Sequence, residues 1–361
     1  DSKMRKKIVG MLTTATLLTM ALAGNVQAAE IRSVGPDGEA AVDASTIELT
    51  DDQIAQIKEG GYTAAICLHY GGNDWSTSQQ KGLEDTFGEL GIEIVAVTDA
   101  NFSAETQVSN IETVMAKKPD ILVSIPTDAT ATADAYKQAA AAGIKIVFMD
   151  QRANGLEAGK DYVSVVSADN YGNGYASGTV LGDALGGKGK VAMVYYDANF
   201  APTNQRDEGF RDAMKNYPDI EIVTEQGFTD ESGCAEQGDA ILTQFPNIDG
   251  IYASWDVPME GVLSAVRAAG MEGKVTLACN DLGNNVAREI ASGNIAGGGA
   301  QMPYDQGVAE AKLAALALLG EETPSYVAVP AETVTHENVL EAYTDVYHVE
   351  TPDWLKEAYV E

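Results

Sequence analysis

Short apolar runs alternate with amphipathic stretches along nearly the whole chain. The runs at 64–68, 93–97, 121–125 and 145–149 have the length of strands that are covered on both faces. Between them apolar residues fall at helical spacing, as in Leu83, Phe87 and Leu90, or in Val108, Ile111 and Met115. Strands separated by single helices predict parallel βαβ units with right-handed crossovers. The alternation restarts after a strand at 162–166. A helix is expected over 170–185, then strands at 190–195, 221–225, 250–253 and 275–278, with helices at 204–214, 235–245 and 257–269 between them. The fold class is therefore α/β, with two doubly wound Rossmann-like lobes.

A further helix at 307–319 and a strand at 326–329 are too few for a third domain, so they complete the existing lobes. The chain then passes between the lobes more than once, which makes a multi-stranded hinge. The expected division gives 62–168 plus 302–327 to the N-terminal lobe and 169–301 plus 328–361 to the C-terminal lobe. Residues 29–61 precede them as a leader and short helix. The leader, 29–46, is rich in Gly, Asp and Ala and reads as loose; Thr50-Asp-Asp-Gln53 is a capping box that opens the helix, and Gly60-Gly61 ends it.

Residues 1–28 are set apart as a signal peptide with a few upstream residues. Met4-Arg-Lys-Lys7 is a basic start, 8–23 is mostly apolar, and Val26-Gln-Ala28 fits a small-residue cleavage site, so cleavage is expected near Ala28/Ala29. A periplasmic or secreted protein follows, and a periplasmic one is expected. No Cys lies near that site to carry a lipid, and no other apolar run is long enough to span a bilayer. Asp and Glu outnumber Lys and Arg by 54 to 23, which argues against nucleic acid and anionic membrane surfaces as partners. Cys67, Cys234 and Cys279 have neither disulfide-framework nor zinc spacing and are expected to be buried free thiols.

The carboxyl ends of strands are where open α/β sheets bind ligands, and here they carry a recurring kind of loop. After the first strand come His69, Asn73, Asp74 and Trp75, with Ser76 as the expected helix cap. Asp150-Gln151 ends the last strand of the first lobe. In the second lobe Arg206 follows a long polar loop from Tyr196, and Trp255-Asp256, Asn280-Asp281 and Gln301 follow later strands. Carboxylates, amides and a guanidinium pair with adjacent hydroxyls, while an indole face covers the C–H side of a sugar ring. One such loop is ordinary turn chemistry, because Asp and Asn are common turn formers. Five at equivalent positions point to a neutral polyhydroxylated ligand. Three carboxylates, Asp150, Asp256 and Asp281, against Arg206 disfavour an anion, and two Trp among carboxylates leave an organic cation as the alternative.

The order of elements, with Asn73-Asp-Trp75, Met149-Asp150, Gln205-Arg-Asp-Glu-Gly-Phe210, Trp255-Asp256, Asn280-Asp281 and Gln301 in place, resembles the type I periplasmic sugar-binding proteins of the ribose-binding kind. The resemblance covers roughly residues 62–338. It implies a hinge of three strands with crossings near Ala168, Gln301 and Val327, and a sugar trapped between the lobes for delivery to an ABC importer permease. Under it, Asn73 and Trp75 match the amide and stacking aromatic of the first loop, and His69 the polar group ending the first strand. Asp150 and Arg206 match a hydroxyl-binding carboxylate and guanidinium, Asp281 the second carboxylate, and Gln301 the amide at the hinge. The ribose-binding pattern departs from this chain in having Asp-Arg for Asp150-Gln151, two aromatics for Trp75-Ser76, and Asn-Asp for Trp255-Asp256. The pocket shape should therefore differ from a ribose site, and Phe228 or Thr229 is expected to add a wall.

Other uses of the fold stay open at this point. The ligand could serve chemoreception or quorum signalling, or be a cation or nucleoside. An enzyme is not expected: no Gly-x-Ser-x-Gly elbow or HExxH is present, and the only imidazoles are His69, His336 and His348. A transcription regulator of the same fold would need a helix-turn-helix and a basic face. No cofactor or metal is expected, since no loop has regular oxygen ligands around a Gly. A monomer is expected.

Overall fold

A computed structural model describes residues 30–361, so the expected export signal and its cleavage site lie outside the described residues. The strands of the first lobe are β1 (Val42–Asp43), β2 (Thr63–Leu68), β3 (Glu93–Asp99), β4 (Ile121–Ser124), β5 (Lys145–Met149) and β6 (Ser164–Ala168). The second lobe follows with β7 (Lys188–Tyr196), β8 (Asp219–Phe228), β9 (Gly250–Ala253), β10 (Thr276–Cys279) and β11 (Gly297–Ala300). The chain returns to the first sheet as β12 (Tyr326–Val329) and ends in the second with β13 (Glu332–Thr335). Strand order is β1-β12-β6-β5-β4-β2-β3 in one sheet and β13-β11-β10-β9-β7-β8 in the other, parallel throughout except for β11 against β13.

Both orders reverse direction beside the first long strand. Chain leaves β2 for β3 on one side and comes back to β4 on the other, and β7 lies in the same way between β8 and β9. A crevice opens at the carboxyl end of a sheet at such a reversal. Each lobe thus presents its first loop, after β2 or after β7, at its own crevice.

The chain passes between the sheets at Ala168–Asn170, between β11 and the helix Pro303–Leu318, and between Val329 and Glu332. The last passage falls beyond the position near Val327 that the resemblance implies, because β12 continues pairing with β6 as far as Val329.

Three local expectations are corrected. The leader is not loose: β1 pairs with β12, and Ser33 donates through its backbone N and its Oγ to Asp169, at 3.0 and 2.7 Å. Asp169 also caps the helix Asn170–Ala184, so one carboxylate ties the leader to a hinge strand. The helix Asp74–Glu89 is capped by Asn73, not Ser76; the Asn73 amide oxygen accepts from Ser76 N at 3.1 Å from an extended backbone that Ser76, inside the helix, lacks. Strand β11 has three glycines and no strand propensity, and no strand was expected there. Only glycine fits: a Cβ on Gly298 would overlap the Cys279 carbonyl oxygen, and one on Gly299 the Asn173 carbonyl oxygen. The helix Asn170–Ala184 lies that close. The capping box of Thr50 and Gln53 forms as expected, and Cys67, Cys234 and Cys279 are buried free thiols. Among the described residues no helix is long and apolar enough to cross a membrane.

Candidate functional site

Asp150 follows β5 directly and Asp281 lies two residues past β10, the strands that hold equivalent places in the two sheets. Both have left-handed backbone, with φ of 60° and 73°, a conformation that Asp tolerates better than most residues and that clusters at ligand sites. Each carboxylate is held by one oxygen. Asp150 Oδ1 accepts from Ser167 Oγ and Ala168 N, both at 3.1 Å. Asp281 Oδ1 accepts from Gln301 Nε2 at 2.5 Å, and Gln301 Oε1 in turn accepts from Trp75 Nε1 at 3.0 Å. Neither second oxygen has a protein donor among the described hydrogen bonds.

Arg206 faces both carboxylates. Its Nε donates to Asn170 Oδ1 at 3.0 Å and one terminal nitrogen to the Ser254 carbonyl at 3.3 Å, which fixes the plane of the guanidinium. Burial raises the pKa of Asp150 and of Asp281, and the charge of Arg206 opposes the rise in both. Burial, then the neighbouring Asp281 and Glu260 carboxylates, holds Asp256 well above the usual carboxylate range.

Aromatic rings close the remaining walls. His69 is 4% exposed and stacks on Phe200 at 5.6 Å between centroids, with Trp75 edge-on. Its burial, with the Arg206 charge, pushes the imidazole pKa down to about 3, so the ring is neutral, and its Nδ1 is buried without a partner. Tyr70 stacks on Phe102 at 4.2 Å, and Tyr196 meets Trp255 edge-on at 5.6 Å. About 400 Å³ of non-atom space, open solvent included, lies among these lining residues.

Of the twelve residues singled out in the sequence, eight line this cavity: His69, Asn73, Trp75, Asp150, Arg206, Trp255, Asp281 and Gln301. Four do not. Asp74 and Asp256 line an adjoining crevice with Glu231 and Glu260. Asn280 is fully buried, donating to Tyr252 Oη and the Ser254 carbonyl and accepting from Ser177. Gln151 bonds Pro126 and Ala201. Phe228 packs against Tyr196 and Trp255 and does not line the cavity.

Tyr70, Phe102, Tyr196 and Phe200 were not singled out. Tyr196 and Phe200 stand in the loop that supplied Arg206, and the signal available was the earlier helix start: Ala201-Pro202 opens the helix, which makes Phe200 its cap and aims the loop inward. Phe102 has φ of 62°, rare for a bulky residue, and nothing in the sequence announced it.

Residues 64–322 match the family model described as the Periplasmic binding protein domain, from the second residue of β2 to just before β12. The chain belongs to this family. A D-ribose/D-allose-binding protein of Pseudomonas aeruginosa is 29% identical over 273 residues, 73% of this chain and 83% of that protein. Among solved structures, a periplasmic solute-binding protein of an ABC transporter from Actinobacillus succinogenes 130z with bound D-allose is 29% identical, with a TM-score of 0.71 over 77% of this chain and 99% of that one. A solute-binding protein from Agrobacterium vitis with bound α-D-tagatopyranose is 26% identical, with a TM-score of 0.74 over 81% of this chain and all of that one (100%).

Proposed function

We propose that the protein captures a neutral monosaccharide or polyol between its lobes and presents it to an ABC importer permease. One observation carries the reading. Asp150 and Asp281, from opposite lobes, each keep one carboxylate oxygen free of a described donor in an aromatic-walled cavity, and both feel the charge of Arg206. Free acceptors flanking one guanidinium suit the alternating hydroxyls of a sugar, and the rings suit its C–H face. The solved relatives with bound D-allose and α-D-tagatopyranose support the same class.

The site binds without chemistry in this reading. His69, the only imidazole at the cavity, is held neutral and packed between rings, away from a general base's usual range. The basic and apolar start over 4–28 supports export to the periplasm, and a single chain supplies both walls, so a monomer suffices.

A thermal-shift screen against pentoses, hexoses, polyols, sugar acids, nucleosides and quaternary amines tests this. A ligand at about 100 times its dissociation constant adds about 2.7 kcal/mol to the folded state, which moves the transition by several degrees. A selective shift within one stereochemical series of sugars or polyols is expected. A response confined to amines or nucleosides, or none at all, overturns the ligand assignment.

A further inference from the structure

Among the second-lobe helices that begin without a capping side chain of their own, two are met by side chains of the first lobe. Helix Ala201–Met214 follows Phe200 and helix Asn284–Ala291 follows Gly283, and neither residue's side chain accepts from the first turn. Such N–H groups carry the partial positive charge of the helix start and need an acceptor. In both helices the first amide is met from the other lobe. Gln151 Oε1 accepts from Ala201 N at 3.2 Å, and Asp74 Oδ2 accepts from Asn284 N at 2.8 Å. Both acceptors are fixed on the first lobe: Gln151 Nε2 donates to the Pro126 carbonyl at 2.8 Å, and Asp74 opens the helix Asp74–Glu89. Each is also next in sequence to a residue of the cavity, Asp150 in one case, Asn73 and Trp75 in the other.

We propose that Asp74 and Gln151 are positioning residues, a pair of latches that cap second-lobe helices only when the lobes meet. This rests on the reading that the lobes close about a ligand. Separating the lobes takes both acceptors away from the helix ends and leaves the amides to water, so the latches bias the hinge toward closure without touching the ligand. The residue type at 151 fits this use. An amide can donate to Pro126 and accept from Ala201 together, whereas the Arg of the ribose-binding pattern has no acceptor and could not cap.

Asp74→Ala, Gln151→Leu and Ala201→Pro test the proposal. Ala201→Pro removes the donor and leaves Gln151 in place; proline suits the first helical position, and the extended backbone of Phe200, φ −133° and ψ 101°, accepts a following proline. Spin labels on one exposed helix of each lobe report interlobe distance without ligand and with D-allose, and calorimetry reports D-allose affinity. Loss of a cap corresponds to about a fivefold change in an equilibrium. Each variant is therefore expected to weaken D-allose about fivefold and to shift the ligand-free distances toward longer values, with Ala201→Pro matching Gln151→Leu. Asp74→Asn keeps an acceptor oxygen and is expected to recover most of the loss, which separates a latch from a general loss of stability. Unchanged affinity with unchanged distances overturns the proposal. Where the wild type binds neither D-allose nor any other sugar screened, the sugar reading fails. The latch is then decided by the ligand-free distances alone: longer in the variants supports it, and the same as wild type overturns it.

Discussion

Trp75 of the first lobe donates its indole N–H to Gln301, at 3.0 Å, in the segment just after β11 that carries the chain out of the second lobe. Gln301 passes the bond on to Asp281, so one amide joins an aromatic wall, a hinge segment and a carboxylate. The amide has no freedom to turn over, because flipping it would set its NH₂ against the indole N–H and its oxygen against the carboxylate.

Asp281→Ala is therefore expected to cost about 2 to 4 kcal/mol in ligand binding, from lost hydroxyl bonds, from Gln301 Nε2 left without its acceptor and from the charge of Arg206 left less balanced. Titration calorimetry with the sugar selected by the thermal screen measures it. Affinity within a factor of two of wild type would remove Asp281 from the site.

Trp75→Phe separates the ring from its N–H. The phenyl ring keeps the packing against His69, while Gln301 Oε1 loses its donor, so binding should weaken by about 1 kcal/mol with little change in folding. Trp75→Ala removes the ring from the first-lobe core as well, and both affinity and melting temperature should fall. Equal affinity in wild type and Trp75→Phe would show that the amide is held by Asp281 alone.

The alternation of apolar runs and helices was enough to read most strands of both sheets, because strands buried on both faces leave unbroken apolar runs, whereas the places of the hinge passages were implied by the family resemblance. What escaped was set by contacts distant in sequence. Gly297 to Gly299 form a strand by pairing with β10 and β13, where the close Asn170–Ala184 helix leaves no room for a Cβ on Gly299, and the leader is held by β12 and by Asp169, far along the chain, which binds Ser33. In the site, residues whose type announces chemistry were legible: Asp150, Arg206, Asp281 and Gln301. Rings were not. Tyr70 and Phe102 have the composition of ordinary core residues, and only the turn after β3 brings them together at the cavity.

Gly299→Ala should be severely destabilising. The added methyl would overlap the Asn173 carbonyl oxygen and lie 2.6 Å from its Cα, backbone atoms that cannot swing aside. A loss of about 3 kcal/mol or more, as for an overpacked core, is expected in urea unfolding. The same change at Gly88, where a Cβ would meet nothing within 4 Å, should stabilise its helix by about 0.5–1 kcal/mol. Tolerance of Gly299→Ala would mean that the helix and β11 sit further apart.

Stability should fall as pH rises from mildly acid to mildly alkaline. Burial lifts Asp207 from 3.8 to about 6, and burial with the facing carboxylates of Asp345, Glu341 and Asp305 lifts Glu332 from 4.5 to about 8. A carboxyl group with a raised native pKa binds its proton more tightly folded than unfolded. Its contribution is complete below the unfolded value and is lost as pH climbs through the native one: between 3.8 and 6 for Asp207, and between 4.5 and 8 for Glu332. Asp256, Asp281 and Glu310 are raised in the same direction by burial. His69 acts with the opposite sign, since its pKa is lowered from 6.5 to about 3, and it costs stability as pH falls below 6.5. Several carboxyl groups oppose one imidazole, so the melting temperature, followed at constant ionic strength, should decline from pH 5 to pH 8. Asp256→Asn keeps an oxygen for the Val257 amide and removes the repulsion from Asp281, so it should raise the melting temperature at pH 8 and flatten the decline. A melting temperature that rises with pH over this range would show that these carboxyl groups are ionised and compensated in the folded protein.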